Sequence, residues 1–83
     1  MKEKLDIIKK EIIEPMNKMD IIVDSIDFVN ENNYYFLKIV LDKVNGIDLD
    51  TIVEATNVIN PIIDKLDLIE EEYVLDISSK ERG

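Results

Sequence analysis

The sequence predicts one α+β domain, a two-layer αββαβ sandwich with two helices packed on one face of a three-stranded sheet. Apolar residues recur every three or four positions in two long segments, which is typical of amphipathic helices. They alternate with polar residues in three shorter segments, which is typical of half-buried strands. In a chain of 83 residues these segments fill one compact domain.

The first helix is predicted over residues 4–19, where five apolar residues lie on one helical face. They are Leu5, Ile8, Ile12, Met16 and Met19. Pro15 falls inside this pattern and lacks the backbone N–H that a helix interior uses, so we expect a kink or an early final turn there.

A β-hairpin is predicted next. Residues 21–29 alternate, with Ser25 and Asp27 on the polar side. The apolar side of this first strand is predicted to consist of Ile22, Ile26 and Phe28. Residues 30–33, Asn-Glu-Asn-Asn, have the composition of a turn.

The second strand is predicted over residues 34–42. Its inward stripe consists of Tyr35, Leu37, Ile39 and Leu41, with Lys38 and Asp42 on the other side. Tyr34 and Phe36 then also point to that other face, which is available to a partner or another domain.

A second helix follows directly. Asn45 and Gly46 provide a left-handed turn, and Asp48 is placed to cap the helix. The apolar stripe of this helix consists of Leu49, Ile52, Val53, Thr56, Ile59, Ile63 and Leu66. Pro61 lies within the stripe and is expected to bend the helix.

The third strand is predicted after the polar segment 64–72, which ends the helix. Tyr73, Leu75 and Ile77 alternate there with Asp76 and Ser78. The residues from Lys80 onward are polar, and the apolar pattern stops.

Composition removes several classes of function. The chain has no Cys and no His, so it has neither disulfides, nor zinc sites built on these residues, nor the nucleophile–imidazole pairs of many hydrolases. We therefore expect no enzyme, no cofactor and no metal. With 19 acidic residues, close carboxylate pairs are unavoidable and carry little information about acid–base chemistry.

The charge balance bears on the choice of partner. A net charge of −9 repels phosphate backbones, so strong autonomous nucleic-acid binding is not expected. The acidic surface suits a basic protein partner, although solubility explains the same charge. No stretch is long and apolar enough for a membrane span, so we expect a soluble cytoplasmic protein.

Two binding motifs can be compared with the chain. With Gly46 at the turn position of a calcium loop, the first and last ligand positions fall on Leu41 and Ile52, which excludes an EF-hand. The αββαβ order is similar to that of one class of KH domains, but Gly46 has no glycine three residues away, so the Gly-x-x-Gly loop is absent.

Several segments, taken in order, resemble the N-terminal domain of the RimP family of ribosome maturation factors. Residues 14–15 (Glu-Pro) look like a dipeptide in its first helix, and residues 26–28 (Ile-Asp-Phe) look like its first strand. The remaining similar segments are residues 35–43, 46–50, 61–64 and 73–79. Where the family usually continues Ser-Ser-Pro-Gly, this chain has Ser-Ser-Lys-Glu-Arg-Gly, which departs from the expected interdomain turn.

This resemblance implies that residues 1–79 form a RimP-like domain and that residues 80–83 begin a linker to a C-terminal β-barrel domain not present in this chain. It also implies binding to the immature small (30S) ribosomal subunit, promotion of its assembly, and contact with a ribosomal protein rather than catalysis. The contact candidates are Asp24, Asp27, Asp42, Asp76, Ser78 and Ser79.

Simpler explanations remain for these candidates. Each acidic residue is also explained by ordinary solvation, and each serine by capping at a strand end. A different class of function is a small self-associating structural or regulatory domain, using a sheet edge or the face of Tyr34 and Phe36. A carboxylate enzyme with Mg²⁺ is a third possibility, but no spacing in the sequence predicts its pocket.

Overall fold

The computed structural model describes residues 1–80 and has the predicted element order. The elements are α1 (Lys2–Lys18), β1 (Ile22–Glu31), β2 (Tyr34–Asp42), α2 (Leu49–Leu66) and β3 (Tyr73–Ser79). The α+β class and the αββαβ order are thus confirmed. Within these residues, neither helix is long and apolar enough to cross a lipid bilayer.

The sheet is mixed, with strand order β1-β2-β3. β2 lies in the centre, antiparallel to β1 and parallel to β3. A hairpin joins the antiparallel pair, whereas a parallel pair needs a crossover, and α2 supplies it. β1 and β3 are therefore the two edge strands.

The core lies between one face of the sheet and the two helices. Every second residue of β2 from Leu37 onward is fully buried, and so is one stripe of each helix. The fully buried residues of these three elements are Ile8, Ile12, Met16, Leu37, Ile39, Leu41, Ala55 and Ile59. Because both helices contribute to a single core on this side, the opposite face of the sheet has no covering layer within residues 1–80.

The start of β1 corrects the predicted alternation. Ile22 was expected to face inward, but it is 51% exposed, and Val23 is buried in its place. The pairing with β2 shifts between Val23 and Ser25, so Asp24 is the extra residue of a β-bulge. The extra residue shifts the alternation of side chains by one position. Ile26 and Phe28 therefore still pack against the core as predicted.

Residues in the left-handed region lie in all four connections between the elements, and the left-handed turn predicted at Asn45 and Gly46 is confirmed, with φ of 70° and 88°. Asn32 and Asn33 form a two-residue hairpin loop with φ of 54° and 69°, the signs that a type I′ turn requires. Because this loop is so tight, β1 runs two residues farther than predicted. Asp20, with φ of 60°, ends α1 in a Schellman motif, in which the Ile21 N–H donates to the Met16 carbonyl at 2.9 Å.

The predicted cap of α2 is confirmed. The Asp48 carboxylate accepts a hydrogen bond from the Thr51 N–H at 2.8 Å. This bond holds the pKa of Asp48 below its ordinary value. Both helices continue past their prolines: α1 ends three residues after Pro15, and α2 reaches Leu66 beyond Pro61. The bend at Pro61 stays a prediction.

Candidate functional site

The face of the sheet turned away from the helices, named the open face below, carries three of the six predicted contact residues on neighbouring rows. Strand pairing places side chains there in rows, with one residue from each strand. Three complete rows are Val29, Phe36 and Val74; Asp27, Lys38 and Asp76; and Ser25, Val40 and Ser78.

The middle row is charged. Lys38 lies between Asp27 on β1 and Asp76 on β3, and it also donates a 2.7 Å hydrogen bond to the Glu31 carboxylate. That hydrogen bond raises the pKa of Lys38 most. Desolvation lowers the pKa in part, and the charges of Glu31, Asp76 and Asp27 raise it further. Lys38 is thus a cation held among three carboxylates.

An apolar row borders the charged one. Val74 is 50% exposed, whereas Val29 and Phe36 are half-buried. Their row lies between Lys38 and the pair formed by Glu31 and Tyr34, so the ion pair from Lys38 to Glu31 crosses it. The aliphatic stem of the lysine therefore shields the β1 and β2 side of this row, and Val74 is left open.

A second ion pair ties the end of β3 to β1. The Lys80 ammonium donates to the Asp24 carboxylate at 3.1 Å, across the central strand, and the Lys80 N–H donates to the Leu41 carbonyl at 2.7 Å. The predicted contact residue Asp24 is thus engaged within the chain at the bulge, beside the open face.

Asp42 and Ser79 are less suited to the predicted role. Asp42 pairs with Ile22 at the end of the sheet, and its carboxylate accepts from the neighbouring Lys43 N–H at 2.8 Å. Ser79 pairs with Leu41, so it follows the alternation of the helix-covered face and points away from Ser78. Asp27, Asp76 and Ser78 are the candidates that the fold brings together on neighbouring rows.

Sequence reasoning missed Lys38, Glu31, Val29 and Val74 as members of this surface. The alternation of β2 did place Lys38 opposite the inward stripe, together with Phe36. The acid–base–acid row, however, depends on which residues of β1 and β3 stand beside Lys38, and that follows from strand order and register.

The aromatic residues divide between the two faces as predicted. Tyr34 is 66% exposed at the hairpin end of the open face. Tyr35 belongs to the other face, where its ring stacks on Phe28 at 5.1 Å between centroids, and Tyr73 meets Phe28 edge-on at 6.3 Å. Burial, and secondarily Asp64 and Asp67, raise the pKa of Tyr73. Tyr35 and Phe28 are therefore engaged with each other.

A groove of about 490 Å³ lies between the first turns of α1 and residues 24–28 of β1. Lysines and aspartates both line it, so it favours neither sign of charge: Lys2, Asp6, Lys9, Asp24 and Asp27. Among residues 1–80 no group of three or more Asp and Glu side chains is arranged to hold a metal ion.

A comparison with known protein families agrees with the family resemblance that the sequence motifs indicate. The family model described as the RimP N-terminal domain matches residues 10–80, which include most of α1 and all later elements. RimP proteins are ribosome maturation factors that act on the small ribosomal subunit, and they are not known as enzymes. This chain therefore belongs to the RimP N-terminal domain family.

Proposed function

We propose that this domain binds the immature small (30S) ribosomal subunit and promotes its assembly, with the open face of the sheet as its contact surface. The observation that carries the proposal is the adjacency of two rows on that face: Asp27, Lys38 and Asp76 beside Val29, Phe36 and Val74. An apolar strip bordered by charges is the usual composition of a protein interface, in which the apolar part is desolvated and the charges set orientation.

The charge of the surface favours a basic ribosomal protein as the direct partner. The chain carries −9, and the charged row has two carboxylates for one ammonium, with Glu31 close by. A polyanionic RNA backbone would be repelled, whereas Arg and Lys of a partner would find carboxylates on both outer strands. Contact with the subunit therefore runs through protein, without strong nucleic-acid binding of its own and without a membrane.

The proposal keeps the six predicted contact residues, and the position of each residue in the fold decides how it meets the partner. Asp27, Asp76 and Ser78 face the partner directly. Asp24 and Asp42 flank them with carboxylates that already accept hydrogen bonds from Lys80 and Lys43. Ser79 contributes through the strand edge rather than through the open face.

The proposal includes the domain organisation that the family resemblance implies. Residues 1–79 are one domain, and residues 80–83 begin a linker to a C-terminal β-barrel domain; residues 81–83 lie outside the described part of the chain. The family match to an N-terminal domain covers residues 10–80, which is nearly all of the proposed domain. The factor acts in the cytoplasm, where it meets immature subunits.

The test is co-sedimentation of the domain with immature small subunits purified from cells that lack the factor, at low and raised salt. We expect salt-sensitive binding, because exposed charges are screened as ionic strength rises. A two-domain protein that joins this chain to a RimP C-terminal barrel is measured in parallel, since it separates the contribution of this domain from that of the barrel.

Matched variants locate the surface. The double variant Asp27→Asn with Asp76→Asn removes two charges from the open face, and Asp50→Asn with Glu54→Gln removes two from the exposed side of α2. Val74→Ser and Val53→Ser make a second pair, because these valines are 50% and 51% exposed on opposite sides of the molecule. Binding should weaken severalfold in the first member of each pair only.

Other results would overturn the proposal. Equal losses in both members of each pair would mean that the open face is not the recognition surface. Binding by the two-domain protein alone would assign affinity to the barrel. If neither form binds and the size of the domain grows with its concentration, the open face serves self-association instead.

A further inference from the structure

We infer that the outer edge of β3 accepts a β-strand from the basic partner, so that the open face continues onto a fourth strand. This inference rests on the proposed function and adds the mode of binding: main-chain hydrogen bonds to β3, with the side-chain rows extended by the incoming strand.

The hydrogen bonds of β3 show which main-chain groups are available. The Lys80 N–H donates to the Leu41 carbonyl, so Lys80 and the alternate residues before it direct their main-chain groups toward β2. The intervening residues direct N–H and C=O to the outer edge. These are Tyr73, Leu75, Ile77 and Ser79.

β3 is the more accessible of the two edges. Its seven residues pair with β2 without a register shift, which leaves a straight edge of about 23 Å. Within the strand it has neither proline nor lysine, the residues that usually block edges. β1, in contrast, is interrupted by the bulge at Asp24, and the start of α1 lies along it at the groove.

The rows of the open face define the chemistry of the incoming strand. The charged row reads Asp27, Lys38, Asp76, so a Lys or Arg beside Asp76 continues the alternation of sign. The neighbouring row ends at Val74, so an apolar residue belongs there. On the other face the strand meets Leu75 and Ile77, both half-buried, which favours apolar side chains. The occupant is thus an extended segment with basic residues on one side.

A second copy of the chain fits this edge poorly. Antiparallel pairing of β3 with itself over all seven residues is centred on Asp76, which sets two carboxylates directly against each other. Each copy also carries −9, so approach is opposed at long range.

Hydrogen–deuterium exchange of the full chain, free and bound to immature small subunits, tests the inference. In the free chain the outward amides exchange fast, while the amides of Val74, Asp76 and Ser78 are held by β2. Strand addition should slow exchange of the outward amides in segment 73–79 about tenfold or more.

A proline at the edge gives an independent test. Ser79→Pro removes an outward N–H at an exposed position and leaves the ladder to β2 intact, whereas Ser79→Ala keeps the N–H. The loss of one hydrogen bond should make the proline variant bind the subunit about fivefold more weakly than the alanine variant, which has lost the same hydroxyl group.

The outcomes separate the two proposals. Slowed exchange at the outward amides, with the proline effect, supports strand addition. Binding that leaves these amides unprotected and the proline variant unchanged would overturn it while leaving the proposed function standing. No binding by the domain at all would overturn both.

Discussion

The Lys38 ammonium donates a hydrogen bond to Glu31, at 2.7 Å, and not to its direct cross-strand neighbour Asp27. The ammonium thereby crosses the row of Val29 and Phe36. The pair connects the charged and apolar rows of the open face, and a partner that reaches Phe36 must move it.

The variant Glu31→Gln should lower the pKa of Lys38, because it removes the hydrogen-bonded carboxylate that raises this pKa most. NMR titration of the lysine side chain measures this. Glu54→Gln, on the exposed side of α2, is the control and should leave the pKa unchanged. An equal pKa in wild type and Glu31→Gln would contradict the ion pair.

The same pair has a defined pH window. The pKa of Lys38 in the folded chain lies above its ordinary value of 10.5, so the contribution to stability is complete below that pH. It is lost as pH rises through the folded-state pKa. From neutral pH upward, urea unfolding should therefore show the stability difference between wild type and Glu31→Gln shrinking only in strongly alkaline solution.

The bulge at Asp24 predicts unequal losses of stability when two neighbouring residues are replaced by alanine. Val23→Ala should destabilise the fold by about 1.5–3 kcal/mol, because Val23 is buried in the core. Ile22→Ala should cost less than about 0.5 kcal/mol, since Ile22 is half in solvent. Chemical denaturation of both variants measures this, and the reverse order would restore the alternation predicted from sequence.

The hairpin turn at Asn32 and Asn33 can be made more stable by one substitution. Asn33 has φ of 69°, and glycine adopts this conformation without steric cost, so Asn33→Gly should stabilise the domain by about 0.5–1 kcal/mol. Asn33→Ala is the control and should destabilise it by about 1 kcal/mol. Thermal unfolding of the two variants should move in opposite directions, and parallel shifts would argue against a type I′ turn.

The cap of α2 predicts that the domain loses stability when Asp48 is replaced by alanine. Asp48→Ala should lower the folding equilibrium constant about fivefold, because the Thr51 N–H loses its acceptor. Asp48→Asn keeps an acceptor and should retain most of the stability.

The pH dependence of this cap follows from its pKa. Since the pKa of Asp48 is lowered from 3.8, its stabilisation is present above that pH and is lost as pH falls through the folded-state pKa. The difference between wild type and Asp48→Ala should shrink in acid, as measured by urea unfolding. A difference that persists there unchanged would contradict the charged cap.

Local sequence patterns were sufficient for most of the fold. The stripe of α1, the alternation of β2 and the capping position of Asp48 each depend on residues close in the chain, so the sequence alone predicted them. The predicted stripe of α2 was wrong at Leu49 and Val53, which are 77% and 51% exposed, whereas Ala55 is fully buried. The alternation of β1 was wrong at Ile22, because a bulge is defined by pairing with β2 and not by the residues of β1 alone.

The candidate site was only partly predictable. Asp27, Asp76 and Ser78 were named from their residue types, and the alternation of β3 already set Ser78 apart from Ser79. Only strand order and register show that Asp27 and Asp76 flank Lys38. Lys38 and Val74 were not named, because a lone lysine or valine in a strand carries no functional signal until its neighbours are known.

The sequence by itself thus determined which segments are helices and strands, most of the side chains that form the core, and which family the chain resembles. Tertiary structure decided the strand order, the bulge and the register, and with them the rows on the open face and the position of β3 at the edge of the sheet. The physical reason is distance along the chain: periodicity and capping act over a few residues, whereas Asp27, Lys38 and Asp76 become neighbours only when three separate strands pair.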